Sequence, residues 1–445
     1  MFANVFLILC AYYFIKPLRE GWIAVSDIPA LTKMEVKAYS SFGQSILLIF
    51  AVSAYAKLAD KYQRAKLING TTLFCMSNLV VFWMLQPGFF VDHLPGTGIL
   101  FYLWVGMFGV FIVAQFWAFA ANLYQDEQGQ RLIPMVAIGA TAGAASGSWI
   151  TDALVGSGVV GAKFLLLAAL APLAASVVLT TWCDRRGATG TDAGARTEED
   201  GDHESQSAAS PTQSDPTTDD RRSAMQVIFR SRYLIAVAAI TLLMNWVNTN
   251  GENLLFGVVQ DSLTGDAAEQ GIVGEEAVRA FTRDGTAAFY GNFFFWVNII
   301  ALLLQAFAAS RLLRYGGFGL ILLLLPSVAL VSYSVMAVFP VLAIVKAMKV
   351  LENSTDYSIN NTARHVLWLP VGAADTYKGK PAVDSLFARF GDGLAALTVL
   401  VGVQVLGLST AGFFAFTVVL VLLWLGGAGV VIAEHRKLGP APTSH

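Results

Sequence analysis

Long apolar runs constrain this chain more than any other feature of its 445 residues. Each run is long enough to cross a hydrocarbon layer of roughly 30 Å as a helix, and backbone groups in lipid must find partners within their own segment. With 56% hydrophobic and 13% charged residues, we predict an all-α polytopic membrane protein with twelve transmembrane helices in two six-helix bundles. The runs lie at about 2–24, 38–57, 67–86, 97–123, 132–154, 160–182, 232–256, 286–312, 317–338, 340–365, 383–405 and 409–433.

A polar stretch separates the first six runs from the last six. Residues 184–222 contain no large apolar side chain and are rich in Asp, Glu, Ser, Thr, Gly and Pro, so burial cannot offset their ordering entropy. We predict a disordered cytoplasmic linker, with a phosphorylation or docking segment as the alternative. The predicted parts are an N-terminal bundle at 1–182, the linker at 183–223, a C-terminal bundle at 224–437 and a cytoplasmic tail at 438–445.

Basic residues between the runs predict the orientation. Because Lys and Arg concentrate in cytoplasmic connections, we predict both termini to be cytoplasmic and the first run to be a span, not a signal peptide. The opposite connections are predicted to hold Lys33, Lys37, Arg279 and Arg283, in loops that include 257–285. The residues that fix this orientation are Lys57, Lys61, Arg64, Lys66, Arg131, Arg311, Arg314, Lys378, Lys380, Arg436 and Lys437.

Several function classes find no support in the sequence. A formal net charge of −2 gives no field that would recruit nucleic acid. The three cysteines show no paired spacing. Metal-ligand spacing, a Walker-type phosphate loop and a plausible nucleophile with a base are all missing. We therefore predict a non-enzyme without metal or cofactor.

The stretch "YYFIKPLREGW", residues 12–22, places three charged side chains within the first run. Lys16, Arg19 and Glu20 would each cost several kcal/mol if they faced lipid, so such residues usually serve a function. The seventh run, "WVNTNGENLLF", repeats the pattern with Asn245, Asn248 and Glu252 at helical spacing.

Both runs also contain a residue that we interpret as a helix breaker, Pro17 in the first and Gly251 in the seventh. Interrupted helices at corresponding positions of two halves are typical of a transporter substrate site near the membrane midplane. We therefore predict that the two runs face a common site between the halves.

The tenth run carries the longest polar pattern. In "VKAMKVLENSTDYSINNTARH", six polar residues follow one another at steps of three or four, which places them on one helix face. Glu352 and Asp356 can pair with Lys349 and Asn360, so a self-neutralised polar ladder is the alternative to a face that lines a substrate site. The six residues are Lys346, Lys349, Asn353, Tyr357, Asn360 and Arg364.

Together these residues predict an anionic small-molecule substrate. Lys provides a point charge and Arg a planar fork for phosphate or carboxylate. The residues themselves do not distinguish one anion from another. The predicted substrate-binding residues are Lys16, Arg19, Glu20, Asn245, Asn248, Glu252, Lys346, Lys349, Asn353, Asp356 and Asn360.

Two further motifs have structural or gating interpretations. In "GATAGAASG", Gly139, Gly143 and Gly147 are four residues apart, which favours close helix packing. "AKLADKYQRAKL", residues 56–67, resembles the cytoplasmic gating loop of the major facilitator superfamily, with a simple basic anchor as the alternative. The predicted gating residues are Asp60, Arg64, Asp384 and Arg389.

Several motifs resemble the nucleotide translocases, the ATP:ADP antiporters of plastids and obligate intracellular bacteria. They are "YYFIKPLREGW", "FWAFAANLYQDEQGQRLIPM" and "ENSTDYSINNTARHVLWLPV…YKGKPAVDSLFARFGDG". The resemblance is greatest to the free-living bacterial relatives, the NTP/NDP exchange transporters. It implies a major-facilitator-like fold and obligate exchange of nucleoside triphosphate for diphosphate without ATP hydrolysis. Arg19 and Glu252 match two of the family's essential charged positions.

The chain also departs from that family. The fourth run, "FYLWVGMFGVFIVAQFW", lacks the family's carboxylate and has Gln115 as its only polar residue, and Asp356 precedes "YS" where the translocases have a lysine. We predict a monomer in the inner membrane of a bacterium, in contact with the lipid bilayer. Two alternatives stay open: a proton-coupled carrier of another organic anion that uses Glu20 or Glu252, and a receptor that binds without transport.

Overall fold

The computed structural model describes residues 1–59, 64–86, 96–123, 126–157, 164–196 and 224–438. The N-terminal half comprises α1 (Phe2–Ala24), α2 (Lys33–Ala59), α3 (Arg64–Met84), α4 (Thr97–Leu123), α5 (Asp126–Gly156), α6 (Leu165–Ala168) and α7 (Leu170–Arg196). The C-terminal half comprises α8 (Ala224–Arg230), α9 (Arg232–Glu269), α10 (Glu275–Leu304), α11 (Ser310–Val338), α12 (Leu342–Thr355), α13 (Asn361–Val366), α14 (Ala373–Ala382), α15 (Ala388–Leu400) and α16 (Thr410–Leu438). Four π-helical turns in this half are Gln305–Ala309, Asp356–Asn360, Val383–Phe387 and Val401–Val405.

The described residues form helices and no strand, which confirms the all-α prediction. Among them, nine helices are long and apolar enough to cross a membrane. The more polar α2, α5 and the α12–α13 stretch are not among the nine. They would complete the twelve, and the count of twelve stays a prediction.

Helix boundaries agree closely for α1 and α4 and differ elsewhere. The predicted loop 257–285 is mostly helical, because α9 continues to Glu269 and α10 begins at Glu275. The prediction that these basic residues lie in loops was wrong, because they lie in helices. The residues are Lys33 and Lys37 of α2 and Arg279 and Arg283 of α10. Glu275 and Glu276 favour the early start of α10, since carboxylates in a first turn stabilise the helix.

The segment between the halves is described only in part. Helix α7 continues to Arg196, so the linker boundary at 183 falls inside a helix. Residues 197–223, Asp60 and 439–445 lie outside the described residues, as does the side chain of Arg64. The predictions for the linker, this gating pair and the tail therefore stay predictions.

The interpretation of Pro17 and Gly251 as helix breakers was wrong, because both lie inside continuous helices. Pro17 removes the hydrogen bond that the Tyr13 carbonyl would accept within α1. The Thr151 hydroxyl of α5 donates to that carbonyl at 3.3 Å instead, so α1 passes the proline unbroken.

The glycines of α5 bring α1 and α5 into close contact. A Cβ at Gly139 would lie 2.9 Å from the Phe2 carbonyl oxygen, and one at Gly143 would overlap the Phe6 carbonyl. The packing interpretation of the "GATAGAASG" motif is consistent with this geometry. The α1–α5 pair in turn packs against α10, so α1 lies between the two halves.

The halves contact each other through α5 with α10, α1 with α10, and α2 with α15 and α9. We call the end of the bundle where α1 ends, α2 begins and α9 meets α10 the α1–α2 end. Two contacts between the halves lie there: the Arg279 guanidinium is 3.0 Å from Asp27, and the Gln404 amide donates to Glu35 at 2.8 Å. Gly21 of α1 also lies against the backbone of Arg283 in α10.

Candidate functional site

Charged side chains from four helices meet in the middle of the bundle. Because α1, α2, α9 and α12 pack around the interface of the two halves, charges far apart in sequence come within a few ångströms. We call this group the central cluster. It consists of Lys16, Arg19 and Glu20 on α1, Lys37 on α2, Glu252 on α9, and Lys349 and Glu352 on α12.

In the N-terminal half of the central cluster, two cations share one carboxylate. The guanidinium of Arg19 donates to Oε1 of Glu20, at 3.0 Å from Nε and 2.5 Å from Nη2. The Lys37 ammonium lies 3.0 Å from the other oxygen, Oε2. Glu20 is 2% exposed, and a buried carboxylate needs such partners to stay charged.

Lys16 differs from the other cations of the cluster. Its ammonium lies 3.9 Å from the ring centroid of Phe294 and 5.1 Å from that of Tyr13, which is the geometry of a cation–π contact. Within the described part of the chain, no ion pair to Lys16 is found. The N-terminal half therefore contributes three cations and one carboxylate to the cluster.

The C-terminal half of the cluster is neutralised internally. The Lys349 ammonium donates to Glu352 at 2.7 Å and lies 3.6 Å from Glu252, and its side chain is fully buried. The Asn353 amide donates to the same Glu252 oxygen at 2.8 Å. This is the self-neutralised arrangement that the sequence left open as an alternative for the tenth run.

Gly251 makes room for that arrangement. A Cβ at this position would overlap the Tyr333 hydroxyl and lie 2.8 Å from the Lys349 ammonium. The Tyr333 hydroxyl is also 3.2 Å from Glu352. The glycine therefore leaves space for the Lys349 ammonium and the Tyr333 hydroxyl against α9, and it does not interrupt the helix.

Lys346 belongs to a second polar group at the α5–α10 contact. Its ammonium donates to the side-chain Oδ1 of Asn292 at 2.7 Å, and the side-chain Nδ2 of Asn292 donates to Asp152 at 2.7 Å. An amide thus connects a cation of the C-terminal half to a carboxylate of the N-terminal half. Lys346 is half-buried and stays a candidate substrate contact.

The amides predicted to bind substrate have mixed surroundings. Asn360 is buried and donates to Asp356 at 2.6 Å, within the π-helical turn. Asn245 is half-buried and donates to the Thr241 carbonyl in its own helix. Asn248 is half-buried and has no hydrogen-bond partner among the residues that the structure describes. Asn248 and Lys16 therefore have capacity for a ligand.

The predicted gating residues of the C-terminal half separate into two groups. Asp384 lies 3.4 Å from Arg364, both half-exposed. Arg389 donates to Asp392 at 2.9 Å and to the Ser45 hydroxyl of the other half at 3.2 Å. No contact of either with Asp60 can be described, so their gating role stays a prediction.

Sequence reasoning missed Lys37 and Asp392. Lys37 was assigned to a loop because it precedes an apolar run by one residue, but it is buried and 3% exposed. Asp392 accepts hydrogen bonds from Ser45 of α2 at 2.7 Å and Thr249 of α9 at 2.6 Å. An isolated charge at the edge of an apolar run was the available signal for Lys37.

A cavity of 440 Å³ lies near the α1–α2 end, separate from the central cluster. The start of α2, the second half of α9 and the connection from α15 to α16 form its walls. Of its lining residues, Lys33 and Asp261 are charged. Size alone therefore does not identify the substrate site in this chain.

Comparison with known proteins gives weak sequence similarity and strong fold similarity. No family model matches the chain. It is 24% identical over 163 residues to ADP,ATP carrier protein 1 of Chlamydia pneumoniae, covering 32% of each chain. The same protein of Chlamydia trachomatis serovar D is 24% identical over 165 residues. The matched stretch spans about a third of the length of these curated relatives.

Solved structures match over nearly the whole chain. The nucleoside transporter NupG has a TM-score of 0.60 at 13% identity and covers 98% of this chain and 100% of its own. A POT family transporter in complex with 5-aminolevulinic acid also has a TM-score of 0.60, at 11% identity, covering 98% and 96%. These matches confirm the major-facilitator-like fold of a multi-pass membrane protein. The sequence matches confirm the resemblance to ADP,ATP carriers.

Proposed function

We propose that this chain is a membrane transporter that exchanges nucleotides, or closely related phosphorylated anions, by alternating access. The observation that carries the proposal is the surplus of cations on the N-terminal half of the central cluster, where Lys16 has no carboxylate partner in the described part of the chain. Lys16 is half-buried, and a partly desolvated cation without a carboxylate partner is costly, so an anionic ligand is its natural complement. The similarity to ADP,ATP carriers supports a nucleotide.

In this proposal the phosphates bind the N-terminal half. Lys16 and Arg19 provide a point charge and a planar fork, which suit two phosphates in sequence. Arg19 must then exchange its Glu20 hydrogen bonds for the substrate. The half-buried Asn245 and Asn248 contact the polar remainder of the nucleotide from the C-terminal half, together with Asn360 of the π-helical turn.

The contacts at the α1–α2 end support an inward-facing state. If positive connections are cytoplasmic, that end faces outward, and the Asp27–Arg279 and Glu35–Gln404 contacts seal it. We also propose that the chain lies in the inner membrane of a bacterium as a monomer, with both termini cytoplasmic. The gating pair Asp60 and Arg64 would act at the opposite end, together with Asp384 and Arg389.

A proton-coupled carrier of another organic anion is the second candidate. Glu252 favours it, because this carboxylate is 26% exposed and its cation, Lys349, lies 3.6 Å away. A carboxylate in that position can exchange a proton with water that enters the site. The two candidates differ in what drives flux, a counter-substrate or a proton gradient.

Ligand selectivity tests the proposal. Purified protein is titrated with ATP, ADP, AMP and adenosine, and ligand-induced thermal stabilisation is measured, since a ligand that binds only the folded state raises its stability. We expect affinity to fall from the triphosphate or diphosphate to the nucleoside. Equal stabilisation by all four, or by none while a carboxylate anion stabilises, would contradict a phosphate-binding site.

A further inference from the structure

The Lys37 ammonium contacts oxygen atoms of both halves. Its ammonium lies 3.0 Å from Glu20 Oε2 in its own half. From the other half, the Glu252 carbonyl oxygen lies at 3.3 Å and the Tyr290 hydroxyl at 3.4 Å. An ammonium has three donors, and three oxygens surround this one. The ring of Phe256 completes the enclosure at 4.6 Å.

These contacts oppose separation of the halves at the α1–α2 end. Glu252 and Phe256 lie on α9 and Tyr290 on α10, so movement of α2 away from them removes two of the three oxygens. Lys37 is 3% exposed, and a buried charge that loses partners is strongly destabilising. These contacts therefore hold the two halves together at this end.

Glu20 connects this closure to the substrate site. Its Oε1 accepts from Arg19, whereas its Oε2 faces Lys37. An anion that binds Arg19 displaces Oε1 of Glu20 from the guanidinium. Lys37 is then the only cation of the central cluster that still pairs with the Glu20 carboxylate. Lys37 is then held by its own half more strongly than by the other, so the contacts across the interface weaken.

We infer that Lys37, through Glu20, couples occupancy of the central cluster to opening at the α1–α2 end. The inference rests on the proposed function of the cluster as an anion site, and Lys37 acts in it as a positioning residue. Coupling of this kind is reciprocal. The empty carrier cannot change state readily, whereas the occupied carrier can, which makes transport depend on a substrate in each direction.

The first test needs no substrate. Ala287 of α10 is fully buried against Gly21 of the other half, so a cysteine there reports opening. In a chain whose three natural cysteines are replaced by alanine, we measure the labelling rate of Ala287→Cys by an impermeant maleimide. We expect Lys37→Gln to raise that rate by about tenfold to a hundredfold, the equivalent of one charged hydrogen bond.

Matched controls separate this role from a general loss of folding. Lys437 lies near the C-terminal end of α16 and pairs with Glu434 of the same helix, so Lys437→Gln should leave the labelling rate unchanged. Lys37→Arg keeps the charge and should stay near the parent rate. Each variant is required to elute as a monodisperse peak before labelling is compared.

The second test measures transport in vesicles with and without counter-substrate. For Lys37→Gln and Glu20→Gln, we expect uptake of labelled ADP to lose most of its dependence on internal nucleotide. Unchanged Ala287→Cys labelling in folded Lys37→Gln would overturn the inference. So would full dependence on counter-substrate in that variant. If the parent protein transports no nucleotide, the proposed function fails, while the labelling test still decides whether Lys37 holds the α1–α2 end closed.

Discussion

Lys16 and Lys349 are both lysines inside helices of the bundle, but their surroundings differ. Lys349 is fully buried between Glu352 and Glu252, so its charge is already used within the protein. Lys16 faces aromatic rings. An anion binds a cation more favourably when no ion pair with a carboxylate must first be broken. The sequence proposed both residues as anion ligands, and the structure favours Lys16.

Removal of the Lys16 charge should therefore weaken ligand binding. For Lys16→Gln and Arg19→Gln, we expect a loss of about tenfold to a hundredfold, since a charged hydrogen bond is worth about 1.5–3 kcal/mol. The loss should be larger for ATP than for AMP, which lacks the outer phosphates. Titration by thermal shift measures it, with the surface variant Lys437→Gln as control. Equal losses for ATP, ADP and AMP would mean that these cations serve structure.

Removal of the Lys349 charge should instead destabilise the fold. Lys349→Met leaves Glu352 and Glu252 without their shared cation, and breaking a buried ion pair costs about 3–5 kcal/mol. The control is Lys437→Met, which breaks the Lys437–Glu434 pair of the same i,i+3 spacing. The Lys437 side chain is 67% exposed, and such a surface pair is worth about 1 kcal/mol or less.

Thermal unfolding in detergent measures both variants. We expect a clear drop in midpoint for Lys349→Met, a negligible one for Lys437→Met, and partial recovery when Glu352→Gln is added to Lys349→Met. A folded, unperturbed Lys349→Met protein that no longer binds nucleotide would instead make Lys349 a direct ligand of the substrate.

At the scale of elements, hydropathy located the helices because a membrane span is fixed by its length and apolarity. The hydropathy prediction gave the correct bounds for α1 and α4. It missed one or both ends of α2, α9 and α10, because the polar ends of these helices continue beyond the apolar runs. The π-helical turn Asp356–Asn360 was not predicted. Such a turn depends on packing around the chain and interrupts the regular spacing from which one continuous polar face was inferred.

The α1–α5 contact gives a sharp prediction at this scale. Gly143→Leu should prevent close packing of the two helices, because even a Cβ at that position would overlap the Phe6 carbonyl. Gly426→Leu in α16 is the control, since no atom lies within 4 Å of its Cβ position. We expect little folded Gly143→Leu protein by size-exclusion chromatography and normal yield for Gly426→Leu. Equal yields would contradict a packing role.

At the scale of the whole molecule, local spacing predicted some pairs and could not predict others. Lys349–Glu352 and Asp356–Asn360 lie within one turn, so their contact follows from helix geometry. The contacts of Lys37 with Glu252 and of Ser45 with Asp392 join residues far apart in the chain. They depend on how the two halves pack, which no periodicity in one helix encodes.

The orientation predicted from basic residues can be tested at the linker. A cysteine at Ser207, in a chain without its natural cysteines, should react with an impermeant maleimide in inside-out vesicles and not in intact cells. The reason is the concentration of Lys and Arg on that side of the spans. A cysteine replacing Val273, 85% exposed in the α9–α10 connection, should show the opposite pattern. Labelling of Ser207→Cys in intact cells would reverse the proposed orientation.

Exchange itself is the central claim, and one reconstitution measures it directly. Purified protein in lipid vesicles is supplied with labelled ADP outside, and uptake is compared between vesicles loaded with ATP, vesicles loaded with buffer, and buffer-loaded vesicles under an imposed proton gradient. The account predicts rapid uptake only into ATP-loaded vesicles. Uptake driven by the proton gradient into vesicles without nucleotide, or binding of ADP with no flux in any of the three, would contradict it.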